Sequence, residues 1–428
     1  MFQALVARTR DLLQLRFSPL YVSLPAAVLD PVSPANPLRR LVKVLGYAGA
    51  RLVGNAFRPI RNSEKLHGAV WLYVVSQNNV EALQFLRDQR IDAVLVAGQS
   101  KQIGRYNHVV NRLSLRRKLL YYWQFPFVLA GLLRREGAPA WRFFDLIFNA
   151  IGYYEIYRRA LRHYRPRAVV FANDHNDDAR ALLLACQAEN IPTAYVQHAS
   201  VSTIFPPLGF NLNLLEGQDA LDKYAQCGAI SGEVRLVGMP KADAYLFQRN
   251  TELHVRRVGI AANLLDPTAG IQEAVTELLS TFPDLTFTLR PHPGDQRDFA
   301  SLRQRFPQLR FSSAREESVF AFLLKQDALI AADTSTHLEA TLLNLVSIYY
   351  RFGAQTAADD YYGYVANGLI DRANTPAELQ SLLHKYTQHK PPVLYQRAGY
   401  YCATIGTAHE GNSQKLALRY VNEWLTSA

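Results

Sequence analysis

"LTFTLRPHPGD", residues 285–295, runs from a short β-prone stretch straight into an arginine, two prolines, a histidine, a glycine and an aspartate. Turn chemistry accounts for Pro291, Pro293 and Gly294. It does not account for Arg290 and His292, which put a fixed cation and a titratable ring at a strand exit. In open sheets of parallel strands, ligands bind beyond the carboxyl ends of the strands. The stretch therefore reads as a strand followed by a site, and the same pattern recurs outward from it.

Around it, "RRVGIAAN" (256–263), "LRFSS" (309–313), "ALIAADT" (328–334) and "VSIYY" (346–350) read as further strands separated by helical stretches. Upstream, "AVWLYVVSQ" (69–77), "IDAVLVAG" (91–98), "RAVVFAN" (167–173), "TAYVQHA" (193–199), "LNLLEG" (212–217) and "EVRLVG" (233–238) repeat the alternation. Several are apolar almost throughout, as strands covered on both faces are. The fold class expected is α/β, with two doubly wound parallel sheets. A chain of 428 residues with 49% hydrophobic content accommodates two such cores.

The domains are expected at 67–240 and 256–400, joined by the polar connection "GMPKADAYLFQRNTELHV" (238–255). A helical insertion is expected over 111–137, "NRLSLRRKLLYYWQFPFVLAGLLRREG". Within 401–428, the helix-like "SQKLALRYVNEWL" is expected to pack back on the first domain. Residues 1–66 fit neither sheet and read as a basic helical extension carrying Arg39, Arg40, Lys43, Arg51, Arg58 and Arg61 among apolar residues. That mixture suits a helix lying on an anionic membrane surface. The alternative is an extension packed on the core with its arginines in water.

The formal charge of +11 and pI near 9.5 point to an anionic partner: a nucleotide, a phosphorylated lipid surface or a nucleic acid. The last is the remote reading, because the arginines cluster away from the strand ends and no RNA-recognition, KH or zinc pattern occurs. Cys186, Cys227 and Cys402 form no CxxC pair, so neither a disulfide framework nor a zinc site is suggested. The amino terminus lacks the apolar core and cleavage site of a secretory signal. No apolar run approaches the roughly 20 residues that span a bilayer. The expected location is cytoplasmic, with peripheral contact at the inner face of a membrane.

"ALIAADTSTHLEATLLN" (328–344) repeats the logic of the opening stretch. A strand enters Asp333, Thr334, Ser335 and Thr336, and a helix pattern follows. Hydroxyls and free amides there suit a phosphate, and Glu339 would accept hydrogen bonds from ribose hydroxyls. Taken alone, the segment also reads as an ordinary helix cap. Combined with residues 290–295 it makes a diphosphate or phosphodiester pocket, with His292 donating to the leaving phosphate and Arg290 neutralising it. The loop after "GIAAN", with Asn263 and Gly270, approaches the same donor. In the first half, "FANDHNDDARALLLACQAENIPTAYVQHASVS" sends one strand into Asn173, Asp174, His175, Asn176, Asp177 and Asp178. A second strand ends at Gln197, His198 and Ser200. These stand at the strand ends of the first half, which the resemblance described next makes the acceptor side.

An HP motif followed some forty residues later by hydroxyls and "EA" on a helix resembles the donor domain of two-domain GT-B glycosyltransferases of bacterial surface polysaccharide synthesis. The likeness, over roughly residues 69–400, is to CMP-Kdo and CMP-sialic acid transferases and the related CDP-glycerol glycerophosphotransferases. It implies two Rossmann-like domains facing a cleft, with a nucleotide sugar and a glycan or lipid-linked glycan as partners. The serine pair of those families reads "TST" here. "YVQHA" resembles their QHG corner with Ala199 for the glycine. By resemblance Asp174 is the first choice of base and His198 the second, with Asp177 and Asp178 left as first-turn helix residues. A metal-dependent GT-A enzyme would need a DxD-type motif after a nucleotide-binding strand. "NDHND" (173–177) and "DDYYG" (359–363) do not have that setting, so no essential metal and no cofactor are expected. The expected reaction is inverting transfer from a CMP-linked acidic sugar. The alternatives are CDP-glycerol or ribitol phosphate transfer and a UDP-sugar donor.

Overall fold

The computed structural model describes residues 2–54, 63–90, 92–295, 297–314, 316–353 and 359–427. Arg58 and Arg61 of the basic extension lie outside these residues. The chain divides into two compact units. One runs up to Val237 and takes back the chain from Gln414, and the other spans Gly238–Ser413.

In the first unit, β1 (Val70–Tyr73), β2 (Ala93–Gly98), β3 (Asn111–Leu113), β4 (Ala168–Phe171), β5 (Thr193–Val196), β6 (Leu212–Leu215) and β7 (Glu233–Leu236) form one sheet. All neighbours pair parallel, in the order β3-β2-β1-β4-β5-β6-β7. The direction of winding reverses between β1 and β4. Alternate strand residues serve opposite cores. Trp71, Tyr73, Val169, Phe171 and Tyr195 pack under the helices Tyr153–Tyr164 and Asp177–Ala188. Val70, Leu72, Ala168, Val170 and Ala194 pack under Gln77–Gln89 and the final helix Ser413–Ser427. That last helix contributes Leu416, Ala417, Val421 and Leu425, and its Leu425 carbonyl accepts a 3.0 Å hydrogen bond from Arg167. With both faces covered, the central strands show no polar alternation.

In the second unit, β8 (Arg257–Ala262), β9 (Thr286–Pro291), β10 (Arg310–Phe311), β11 (Ala328–Ala331), β12 (Val346–Tyr350) and β13 (Asp371–Ala373) pair parallel in the order β10-β9-β8-β11-β12-β13. The reversal here falls between β8 and β11. Ile260, Leu289, Ile330 and Ile348 face Thr268–Thr281 and Pro376–Gln388, whereas Leu329, Ala331 and Tyr349 face Phe322, Leu338 and Leu342. Gly270 has a packing reason: a Cβ there would lie 2.0 Å from the Phe352 carbonyl, so only glycine lets the segment after β12 touch this helix start.

The borders differ from those expected. Residues 1–66 are no separate extension, because Leu12, Leu13, Phe17, Tyr21 and Leu29 join the core of Trp71 and Val169. The connection after Gly238 is no loose linker. Met239, Ala242 and Leu246 are buried with Leu329 and Leu338, and Arg249 bonds Glu410. The segment expected to be one helical insertion begins as the short strand β3. Arg40 and Arg51 are buried, so their charges meet neither water nor lipid.

Candidate functional site

In the second unit, strand register brings three loops to one level. Ala262 pairs with Pro291 and Ala261 with Ala331, so Asn263, His292 and Asp333 are equivalent positions past β8, β9 and β11. Strands lie about 5 Å apart, which puts the His292 and Asp333 backbones roughly two spacings apart across the reversal point. Asn263 ties the ends of β8 and β11, its Nδ2 donating to the Asp333 carbonyl (3.2 Å) and its Oδ1 accepting from the Leu265 amide (2.7 Å). Arg297, which the sequence did not single out, ties the loops after β8 and β9. Its guanidinium holds the Asp295 carboxylate at 2.5 Å and donates to the carbonyls of Asn263 (2.7 Å) and Asp266.

His292 is exposed, and its Nδ1 accepts a 3.0 Å hydrogen bond from the Gly294 amide. That bond fixes the neutral tautomer with its proton on Nε2, aimed away from the turn. Partial desolvation holds the ring's pKa below its ordinary value, against the opposing pull of Asp295. The ring can therefore donate at neutral pH without being a cation. Beside it opens a cavity of about 630 Å³ lined by, among others, His292, Arg297, Phe299, Arg303, Phe311 and Ser313. Its size is that of a small-molecule pocket.

Arg290 is placed differently from the expectation that it meets a phosphate. It is buried, donates to Ser312 Oγ and to the Glu317 carbonyl (2.9 Å), and lies over the Phe322 ring at 5.2 Å. It braces the exits of β9 and β10. Glu339 is likewise engaged, as a buried carboxylate in a 2.5 Å ion pair with Lys241. Thr334 Oγ1 accepts from the Thr336 amide (3.3 Å) and donates to Thr336 Oγ1 (3.1 Å), so Thr334 opens the helix Thr336–Leu342. Ser335 does not cap that helix, and its hydroxyl stands half-buried at the level of the strand exits. Asp333 accepts from Tyr349 Oη (2.8 Å) and the Tyr361 amide (2.7 Å), and burial raises its pKa.

In the first unit, Phe171 pairs with Tyr195 and Val196 with Leu214, so Asp174, His198 and Glu216 are equivalent positions beyond β4, β5 and β6. Asn173 Oδ1 accepts from the amides of His175 (3.3 Å) and Asn176 (2.8 Å), which shapes the turn, and Asn176 caps the helix Asp177–Ala188. Asp174 is buried. Its carboxylate accepts from Tyr224 Oη (2.6 Å) and meets His175 Nδ1 at 2.9 Å. Burial disfavours its charge, yet the bonds from His175 and Tyr224 prevail and hold the carboxyl below its usual pKa. His175 is partly exposed, rests against Phe205 at 4.5 Å between ring centres, and keeps Nε2 for a further partner.

The neighbouring residues hold this corner in shape. Gln197 is buried, accepts from the Glu216 amide (2.8 Å) and donates to the Ala199 carbonyl (3.0 Å). Ala199 is not among the residues with positive φ, so this corner does not need the glycine of the resembling motif. His198 and Ser200 are half-buried in the same loop. Two features escaped the sequence reading. Tyr224, from the helix Gln218–Cys227, orients Asp174. Asp178 stands in the first helical turn as expected, but it is also fully buried, accepts from Tyr73 and Tyr157 (2.6 Å), and faces Lys101 Nζ at 3.5 Å.

Among the described residues no three His, Cys, Asp or Glu side chains gather as metal ligands, and no helix is long and apolar enough to cross a membrane. Neither a family model nor a curated protein matches the sequence. Solved structures do. UDP-GlcNAc 2-epimerase from Neisseria meningitidis bound to UDP-GlcNAc superposes with TM-score 0.53 at 12% identity, over 82% of this chain and 99% of that one. MurG of Acinetobacter baumannii gives 0.51 at 11%, over 83% and 99%. The wall teichoic acid polymerase TagF gives 0.52 at 8%, over 92% and 98%. At such identities the likeness concerns the fold, and the fold is GT-B: two Rossmann-like α/β units.

Proposed function

We propose that the chain is a cytoplasmic, inverting, metal-independent glycosyltransferase. In this reading it moves an acidic sugar of the Kdo or sialic acid type from a CMP-linked donor to a surface glycan, lipid-linked at the inner membrane face. The observation that carries the proposal is the convergence of Asn263, His292 and the Asp333–Thr336 turn on one level around the β8/β11 reversal, where such sheets take their ligands. The HP motif and the hydroxyl turn support a phosphate grip, and the CMP assignment follows the resemblance to CMP-sugar transferases.

Unit two is assigned the donor. His292 Nε2–H and the hydroxyls of Thr334, Ser335 and Thr336 meet the phosphate as its bond to the sugar breaks. Asn263 keeps that turn in place through its bond to the Asp333 carbonyl, Arg290 braces the neighbouring exits of β9 and β10, and Glu339 is held by Lys241. Unit one is assigned the acceptor. The geometry favours His175, oriented by Asp174 as Tyr224 orients Asp174, as the group that takes the acceptor's proton. Asp174 then acts through His175, and Asn173, Gln197, His198 and Ser200 shape the surrounding surface. The acceptor oxygen forms a bond to the anomeric carbon, the nucleotide leaves with the electron pair of the broken C–O bond, and the proton passes to His175.

A second reading draws on the TagF superposition, which extends over 92% of this chain against 82–83% for the epimerase and MurG. It is transfer of glycerol phosphate or ribitol phosphate from a CDP donor, with attack at phosphorus. The test is incubation with CMP-Kdo, CMP-sialic acid, CDP-glycerol and UDP-GlcNAc in turn, following which donor is consumed. Consumption of a CMP-sugar supports the first reading and of CDP-glycerol the second. Turnover of UDP-GlcNAc alone would contradict both.

A further inference from the structure

The helix Pro37–Gly49 turns a stripe of apolar side chains outward. Asn36 Oδ1 caps it through the Leu38 amide at 2.8 Å, and Pro37 opens it, so its start is well defined. Leu38, Leu41, Val42 and Leu45 recur at the i, i+3, i+4, i+7 spacing that ordinarily marks a core-facing stripe. They are instead 71%, 50%, 68% and 64% exposed. The inward face combines Val44, packed with Phe144 and Phe148, with two cations. Arg40, 2% exposed, donates to the carbonyls of Trp141 (2.7 Å) and Arg142 and lies over the Phe144 ring at 4.8 Å. Lys43 reaches the Val32 carbonyl and stands 3.6 Å from the buried Asp145 carboxylate. The apolar ridge continues into Leu52 and Val53, 59% and 60% exposed, and Trp141 beside Arg40 is 52% exposed.

A fold that buries Arg40 and turns four aliphatic side chains of the same helix outward has another apolar phase for them. Charge identifies it. Residues 2–54 hold seven Lys or Arg against two Asp or Glu, and residues 114–165 ten against three; Arg40, Arg51 and Lys118 among them are buried, whereas Arg39, Arg116, Arg117, Arg134 and Arg135 are exposed. Both belong to one helical layer: Pro37–Gly49 packs on Phe144–Ala150, and Phe2–Leu12 on Phe125–Glu136. Like charges oppose the pairing of two such layers, whereas an anionic bilayer satisfies apolar ridge and cationic surround together.

We propose that the outward face of Pro37–Gly49, continued by Leu52 and Val53, inserts into the interface of a bilayer containing anionic lipid. This deepens the membrane element of the proposed function, but its test needs neither donor nor acceptor, so either can fail without the other. The full-length protein is floated with phosphatidylcholine vesicles with and without phosphatidylglycerol. Binding to the anionic vesicles is expected. In the Leu41→Gln, Leu45→Gln variant it should fall by about tenfold or more, as withdrawing two leucines from an apolar phase requires, with thermal unfolding unchanged. Should that pair disturb folding, Leu38→Gln at the most exposed position reads the same loss in smaller measure. Equal binding by the variants overturns the proposal. So does absence of vesicle binding, including the case where sedimentation velocity shows self-association of the wild type that the variants abolish.

Discussion

His175 meets Asp174 through Nδ1 and is partly exposed while the carboxylate is buried, so in the proposed reading the imidazole is the group that meets the acceptor. In a donor-consumption assay, His175→Gln is expected to lower kcat by roughly 10²- to 10⁴-fold, the range of general-base catalysis. Asp174→Asn should lower kcat less, because the imidazole loses its orienting partner and not its place. Full activity in His175→Gln with loss in His198→Gln would transfer the role to His198. His292→Ala should reduce turnover by about 100-fold or more without moving the thermal midpoint, since the ring is exposed and bonds only its own turn. At this scale the sequence showed which residue types stand at the strand exits. It did not show which of them the framework uses. The partners of Arg290 are Ser312 and Glu317, and that of Glu339 is Lys241, 98 positions away. Pairings at such separation leave no local signal.

Elements keep these residues in place through buried polar joints. The Asp178 carboxylate binds the helix Asp177–Ala188 to Tyr73 on β1, to Tyr157 on the helix Tyr153–Tyr164 and to Lys101 after β2. Asp178→Ala, which strands those donors, should cost roughly 3–5 kcal/mol in denaturant unfolding. A loss below 1 kcal/mol would show that the joint is solvated. His337 plays the corresponding part in the second unit, bonded to Ser347 Oγ (2.7 Å) and the Ala332 carbonyl (2.9 Å), and burial lowers its pKa to about 4. As pH falls, the unfolded imidazole takes its proton near 6.5 while the folded one stays neutral. The contribution is thus whole above about pH 6.5 and declines toward pH 4, by roughly 3 kcal/mol. His337→Gln should flatten the stability–pH curve in that window, and an unchanged slope would contradict the assignment. The long strands were legible because burial on both faces makes them continuously apolar. The three-residue β3 and β13 carry too little pattern to be read, and β3 was absorbed into an expected helix.

At the scale of the molecule, α/β architecture with two parallel sheets was legible from alternation alone, whereas the borders of the units were not. A border depends on which core claims a segment. The final helix returns to the first unit through Leu416, Ala417, Val421 and Leu425. Deleting residues 414–428 should therefore strip cover from Val70 and Leu72, and amide exchange should quicken in β1 and β4 but not in β8 or β11. Equal quickening in both sheets would contradict this division. The claim at the centre of the account is that the exits of β8, β9 and β11 hold the nucleotide of an activated donor. Hydrogen exchange of the intact protein with and without saturating CMP tests it most directly. Protection concentrated in residues 263–266, 292–295 and 333–336 is the predicted result, and protection confined to the first unit, or none at all, would contradict it.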